Sequence, residues 1–328
     1  MSERARDAAA RLRAGEPAAL ARAIRWLEDG DALGARVLRE VAGAPERAWR
    51  VGVTGPAGAG KSTLVAALIT ELRRRGQRVG VLAVDPSSPF SGGALLGDRL
   101  RMQRHTLDAG VFIRSMATRG RMGGLAGATH AAAILLDAAG FDAVLVETVG
   151  VGQDELDVAR LAHTTIVVSV PGLGDEVQAL KAGLLEIADV HALNKADLPG
   201  AAAAERQLRT MLHLEAPAGA DDPRWVAPLV RTVAPRGEGV VELLDACAAH
   251  RTHLAATDDG ARRNAERAEQ LFHALLREQA AERVLARASR DDTLHPLLAA
   301  LRAGEVDAFA AVGSLLAAAG LGDDDDAA

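Results

Sequence analysis

Hydrophobic and polar positions along the chain change period twice, and the two changes divide the sequence into stretches of different character. Over residues 3–43 apolar positions recur at helical spacing, broken at Gly15-Glu16-Pro17 and at Asp29-Gly30-Asp31, which predicts two or three short helices before the first strand. From Trp49 the pattern becomes apolar runs of strand length: WRVGVTG, RVGVLAVD, GVFIRS, FDAVLVET, HTTIVVSV and ADVHALNK. Helical stretches separate them at 62–75, 127–139, 155–162 and 175–187. Strands apolar at nearly every position are buried on both faces, so this alternation predicts an α/β domain with a mostly parallel sheet and helices on both faces. One further strand is expected within WVAPLVRTVA, then helices at 239–254 and 261–289 and two short ones between 293 and 316. The expected organisation is a helical N-terminal extension at 1–47, the α/β domain at 48–255, a helical C-terminal arm at 256–318 and a solvated acidic tail at 319–328. The Ala-rich patches have no fixed period and are read as compositional.

Composition narrows the partners. A chain of 328 residues, 49% hydrophobic and 25% charged, has enough material for a full core and an accessory domain. The formal net charge is −6, and there is no Tyr, with five Phe and three Trp, so a nucleic-acid partner is not expected. The single cysteine, Cys247, fits a reducing compartment, and the cytoplasm is the expected location. The start, MSERARDAAARLRAGEP, lacks an apolar signal core, and AFAAVGSLLAAAGLG is too short to span a bilayer, so no membrane partner is expected.

The first strand runs into GPAGAGKSTL, where Gly55, Gly60, Lys61 and Ser62 fill every fixed position of the phosphate-binding loop G-x-x-x-x-G-K-[ST]. The backbone N–H groups of Gly55, Ala57, Gly58, Ala59, Gly60, Lys61, Ser62 and Thr63 are expected around the phosphates. Small residues let the main chain approach, and the helix N-terminus favours negative charge. Lys61 is placed to reach the outer phosphates, and the Ser62 hydroxyl to ligate Mg2+. At the end of a later strand stands Asn194-Lys195-Ala196-Asp197. The Asp197 carboxylate can accept N1–H and N2–H of guanine, Asn194 can hold the loop, and the stem of Lys195 can cover the ring. The expected ligands are therefore GTP and GDP with Mg2+. Glu147 and Gly150 stand as strand-end acid and γ-phosphate-sensing glycine, as in D-x-x-G but with Glu for Asp. Gln153 does not directly follow Gly150, which predicts slow intrinsic hydrolysis. Asp85 and Asp98 flank a Pro- and Gly-rich loop, and either could complete the metal shell or position water, Asp98 equally being a helix N-cap. Arg114, Arg119 and Arg121 are open to phosphate clamping, stabilisation of transition-state charge, partner contact or plain solvation. Asp175, Gln178 and Lys181 share one helical face by their spacing of three.

These motifs, in this order (GPAGAGKS, VDPSSPFSGGALLGDRLRM, RSMATRGRMGGLAGAT, ETVGVGQDE, VPGLGDEVQALKAG and NKAD), resemble the MeaB family of GTPases, also called ArgK. The resemblance covers about residues 15–290. It implies a P-loop GTPase serving as G-protein chaperone of an adenosylcobalamin-dependent acyl-CoA mutase, gating cofactor loading and protecting the mutase, usually as a homodimer through the C-terminal arm. On that reading Lys61, Asp98, Glu147 and Gly150 carry catalysis, and Ser62, Asp85, Asp98 and Glu147 surround the metal. Gln153, Asp175, Gln178 and Lys181 would belong to switches that the mutase feels. Two positions depart from the family pattern. Asp154 stands where G-Q-[ST]-E has Ser or Thr, adding a negative charge, and Val233 stands where many G proteins place a serine behind the guanine, leaving backbone contacts from Val233 and Ala234. The alternatives are a metallochaperone-type GTPase, which would want clustered Cys or His ligands, and a P-loop small-molecule kinase, which would have no use for NKAD.

Overall fold

A computed structural model describes residues 3–43, 46–85, 105–117, 124–148, 154–172, 186–215 and 225–321. Contacts divide the chain into two units, Met1–Ala268 and Glu269–Ala328.

The first unit is built on seven strands: β1 (Trp49–Thr54), β2 (Val79–Asp85), β3 (Val111–Ala117), β4 (Ala143–Thr148), β5 (Thr164–Ser169), β6 (Val190–Leu193) and β7 (Leu229–Arg231). Every pairing is parallel and the order is β3-β2-β4-β1-β5-β6-β7. Strand periodicity sends alternate residues to opposite faces. Val51, Val53, Leu145, Ile166 and Val168 meet α4 (Lys61–Arg74) and α8 (Val240–Ala256) on one face through Leu64, Leu68, Leu243, Leu244 and Cys247. Leu82, Val84, Val144 and Val146 meet the other layer, α5 (Gly124–Ala138) and α6 (Asp154–Leu161). The N-terminal helices α1 (Glu3–Arg13), α2 (Pro17–Glu28) and α3 (Ala32–Val41) join that second cluster, Leu12, Leu20, Ile24 and Val37 being buried together with Leu135 and Leu136 of α5.

Two expectations change. WVAPLVRTVA contributes only the three residues of β7, because Pro228 has no N–H to extend the ladder and a 3-10 turn, Ala234–Arg236, begins beside Pro235. A helix not anticipated from the sequence, α7 (Ala201–Glu215), packs Leu208 against Leu193 and Leu229. The predicted helix at 175–187 lies largely outside the described residues, as do 86–104 and the acidic tail from 322 onwards.

The helix α9 (Asp258–Arg290) contains the boundary between the units. Its first turns, within the first unit, are bound to the residues that lead into β6 and β5: Arg263 Nη1 donates to Asp189 Oδ1 at 2.7 Å and Arg267 Nη1 to Ala162 O at 2.8 Å. The second unit contains the rest of α9 with α10 (Leu294–Ala303) and α11 (Ala308–Ala318). It bears a groove lined by Phe272, Leu275, Leu276, Val284 and Leu321, and Phe309 is 92% exposed. Among the described residues no helix is long and apolar enough to cross a membrane.

Candidate functional site

The site lies at the carboxyl edge of the sheet, where β1 has β4 on one side and β5 on the other. This is the point at which successive connections leave in opposite directions, the usual place for a ligand in such folds. Register sets Val53 beside Glu147 and Thr54 beside Val167, so the loop after β1 and the end of β4 share one edge.

Residues 55–60 turn from β1 into α4. Gly55 has φ +139°, and a Cβ there would lie 2.3 Å from the Val168 carbonyl oxygen, so only glycine lets β1 pass β5 so closely. Gly60 has φ +86°, and its Cβ would fall 2.7 Å from Asn194 Nδ2. The first turn of α4 presents N–H groups that a helix cannot satisfy internally, which favours an anion. Lys61 is buried, and its Nζ donates to Gly55 O at 2.7 Å and Pro56 O at 3.0 Å. The Ser62 hydroxyl donates to Glu147 Oε1 at 2.6 Å, and Glu147 is 2% exposed. Two hard oxygen donors thus meet at the mouth of the loop, a pairing suited to Mg2+. Among the described residues no group of three or more His, Cys, Asp or Glu side chains is gathered for a metal.

On the other side of the loop the strand β6 ends at Leu193, and the next residue, Asn194, is 1% exposed. Its Nδ2 donates to Ala59 O at 2.8 Å, while its Oδ1 accepts from Thr232 Oγ1 and from the Ala234 backbone N–H, both at 3.2 Å. One side chain joins the phosphate loop, the NKAD turn and the loop after β7. Lys195, with φ +55°, crosses the same gap, its Nζ donating to Gly58 O at 2.9 Å. Arg231 Nη2 donates to Ala196 O at 3.1 Å, which steadies the turn from below. Asp197 faces outward, and Arg236 Nη1 lies 3.3 Å from its Oδ2. Arg236 also forks onto Glu238, Nε to Oε1 at 2.6 Å, and that contact first, then Asp197, holds the guanidinium more firmly in its charged form.

Of the residues expected from the sequence, Gly55, Ala57, Gly58, Ala59, Gly60, Lys61, Ser62, Thr63, Glu147, Asn194, Lys195, Asp197, Val233 and Ala234 all belong to this edge. Val233 is buried and its N–H donates to Glu238 O, so of the two backbone groups behind the NKAD turn it is Ala234 that contacts Asn194. Asp85 ends β2, with Val84 in register with Thr148. Asp98, Gly150, Gln153, Asp175, Gln178, Lys181, Arg119 and Arg121 lie outside the described residues. Arg114, considered for phosphate clamping, lies within β3 and pairs with Glu28 of α2, which makes it a strut between the sheet and the N-terminal extension. Thr232, Arg231 and Arg236 were not anticipated. The sequence around them, RTVAPRGEG at 231–239, stands more than thirty residues after NKAD and carries no pattern that ties it to that turn.

Comparison with known proteins agrees with this geometry. The family model described as methylmalonyl Co-A mutase-associated GTPase MeaB matches residues 20–289. A protein of Pyrococcus abyssi named provisionally as a GTPase is 51% identical over 247 residues, covering 74% of this chain and 75% of its own. A mitochondrial mouse protein named as a methylmalonic aciduria type A homolog is 39% identical over 197 residues, 60% of this chain and 48% of its own. A crystal structure titled as an LAO/AO transport system kinase superposes with a TM-score of 0.68 at 27% identity, covering 96% of this chain and 97% of the other. With the phosphate loop, the strand-end acid and the NKAD turn joined through Asn194, and the family model matched over most of its length, the chain belongs to the MeaB family of P-loop GTPases.

Proposed function

We propose that this protein binds and hydrolyses GTP to act as chaperone of an adenosylcobalamin-dependent acyl-CoA mutase, gating cofactor loading and protecting the mutase. The observation that carries the nucleotide part is the three-way junction at Asn194, which ties the phosphate loop to the turn bearing Asp197. The family description and the name of the mouse relative support the mutase as partner.

In this reading Asp197 accepts N1–H and N2–H of guanine, Lys195 covers the ring face, and the backbone at Val233 and Ala234 closes its rear. Lys61 exchanges its two loop carbonyls for phosphate oxygens. Ser62 and Glu147 would hold Mg2+, with Asp85 and Asp98 available from the first switch; the ion would draw charge from the bridging phosphate oxygens. Gly150 would offer its N–H to the γ-phosphate. Since Gln153 does not directly follow Gly150, water positioning is left to groups that a partner orders. Asp175, Gln178 and Lys181 would relay nucleotide state to the mutase. The exposed apolar residues of α9 and α11 make the homodimer contact, and the cytoplasm is the working compartment.

Steady-state GTPase rates with and without candidate mutases test this. Lys61→Ala abolishes turnover. Lys181→Ala keeps the basal rate and loses stimulation, which in systems completed by a partner reaches roughly 10^3 to 10^5-fold. Failure of every candidate acyl-CoA mutase to bind or stimulate the wild type would overturn the partner assignment, and full stimulation of Lys181→Ala would overturn the relay.

A further inference from the structure

The loop after β7 does more than back the base. Val233 N–H donates to Glu238 O at 3.0 Å, the turn Ala234–Arg236 is closed by Gly237 at φ +73°, and Ala234 N–H is bound to Asn194. This six-residue hairpin, closed by the bridge between Val233 and Glu238, presents Arg236 and Glu238 beside Asp197. Arg236 then makes three contacts: Nε to Glu238 Oε1 at 2.6 Å, Nη2 to Glu238 Oε2 at 3.3 Å and Nη1 to Asp197 Oδ2 at 3.3 Å. The fork onto Glu238 is the shorter and two-pronged attachment, and the contact to Asp197 is the longer, single one. Guanine recognition by a carboxylate uses both oxygens, one for N1–H and one for N2–H, so base and guanidinium want the same Oδ2.

We propose that Arg236 is a latch on the guanine-reading carboxylate: it holds Asp197 until guanine displaces it, and Glu238 retains the displaced guanidinium. The proposal rests on the reading of Asp197 as the guanine reader. Because Glu238 keeps its fork throughout, displacement breaks one charge contact and not three, so the latch tunes affinity and capture rate without blocking the site. Asp197 and Arg236 side chains are 37% and 52% exposed, and an exposed pair of this kind shifts an equilibrium by a factor of roughly 1.5 to 5.

The test uses the full chain and fluorescent GDP in stopped-flow and equilibrium titrations. Arg236→Ala binds GDP about 1.5- to 5-fold more tightly, through faster association, and the difference shrinks as salt is raised. Glu238→Ala shifts affinity the other way, because the guanidinium loses its alternative partner and turns wholly to Asp197. In the Asp197→Asn background, read with XDP, Arg236→Ala has no effect on affinity, and ADP affinity is unchanged by either surface variant. Weaker GDP binding by Arg236→Ala would overturn the latch and make Arg236 a support for the base. An equal Arg236→Ala effect in the Asp197→Asn background would overturn it as well, by showing action away from the carboxylate. Equal GDP and ADP affinity in the wild type is a separate result, which would remove the guanine reading itself.

Discussion

Asn194→Ala is the most demanding perturbation of the site, because it removes one side chain and unties three loops. The substitution deletes the donor to Ala59 O at 2.8 Å and the acceptor of Ala234 N–H and Thr232 Oγ1 at 3.2 Å. Ala59, Ala234 and Thr232 are all nearly inaccessible, at 0%, 3% and 1% exposure, so none regains a partner from bulk water without rearrangement. A buried hydrogen bond contributes a net ~0.5–1.5 kcal/mol, and a stranded buried partner costs toward the upper end, so the three together predict a loss of about 2–4 kcal/mol. Thr232→Val deletes only the contact to Oδ1 and should cost about 1 kcal/mol, which scales the effect internally. Urea unfolding without added nucleotide reads the stability loss. A GDP titration of the surviving folded fraction reads the coupling, with affinity falling by roughly 10-fold or more as the 55–60 loop loses its anchor. A stability loss below about 0.5 kcal/mol with unchanged GDP affinity would refute the junction as the organising contact.

Three further outcomes follow from the same geometry. Gly55→Ala places a Cβ 2.3 Å from the Val168 carbonyl at φ +139°, so it should cost at least about 2–3 kcal/mol and abolish nucleotide binding; Gly58→Ala, at φ +74° in open space, should cost only about 1 kcal/mol in a thermal melt. Arg263→Ala strips a partner from Asp189, which is 5% exposed and also accepts Thr165 N–H at 2.8 Å; because Arg263 is 31% exposed, the expected loss is about 1–3 kcal/mol by urea unfolding, and Asp189→Asn in the same background should recover part of it. His191, 1% exposed on β6 with no hydrogen-bond partner at either ring nitrogen, is pushed by burial down to about 4. The unfolded chain therefore binds a proton between pH ~6.5 and ~4 that the folded chain refuses, so stability is full above that window and falls as pH drops through it. From pH 7 to pH 5 this one group should cost about 2 kcal/mol, and His191→Leu should lose that much less than wild type; His130 and His250, also held down to about 4 chiefly by burial, leave a residual slope in both. Parallel urea midpoints for the two proteins would refute the assignment to His191.

The parts of this molecule that were legible in the sequence are those whose signal is local. Strands buried on both faces write themselves as unbroken apolar runs, and β1, β2, β4 and β5 were found that way, as was the loop whose glycines must take positive φ. The helix α7 escaped because its start is four alanines, which carry no stripe, and its hold on the sheet rests on Leu208 with Met211 and Ala204 beside it. β7 was read too long because valines on both sides of Pro228 look like strand, whereas pairing needs donors that proline lacks. The Arg114 pairing was illegible for another reason: its partner Glu28 lies 86 residues earlier, and nothing near either residue announces the pair.

The same distinction between local and distant signals explains the site. Each motif is contiguous, and so legible, but what makes the motifs one site is contact across the chain: Asn194 reaches Ala59 over 135 residues, Ser62 reaches Glu147 over 85, and Arg236 reaches Asp197 over 39. A further consequence concerns energetics. Lys61 is bound to the carbonyls of Gly55 and Pro56, Lys195 to Gly58 O and Arg236 to Asp197, so the polar groups assigned to the nucleotide already have protein partners. Nucleotide binding then proceeds by exchange of hydrogen bonds, and each exchange contributes only the difference between two partners, far less than an isolated contact would. Affinity in such a site is adjustable by weakening or strengthening the internal partner as readily as by changing the ligand contact. That is why substitutions at Glu238, which need never touch the base, are expected to move guanine affinity at all.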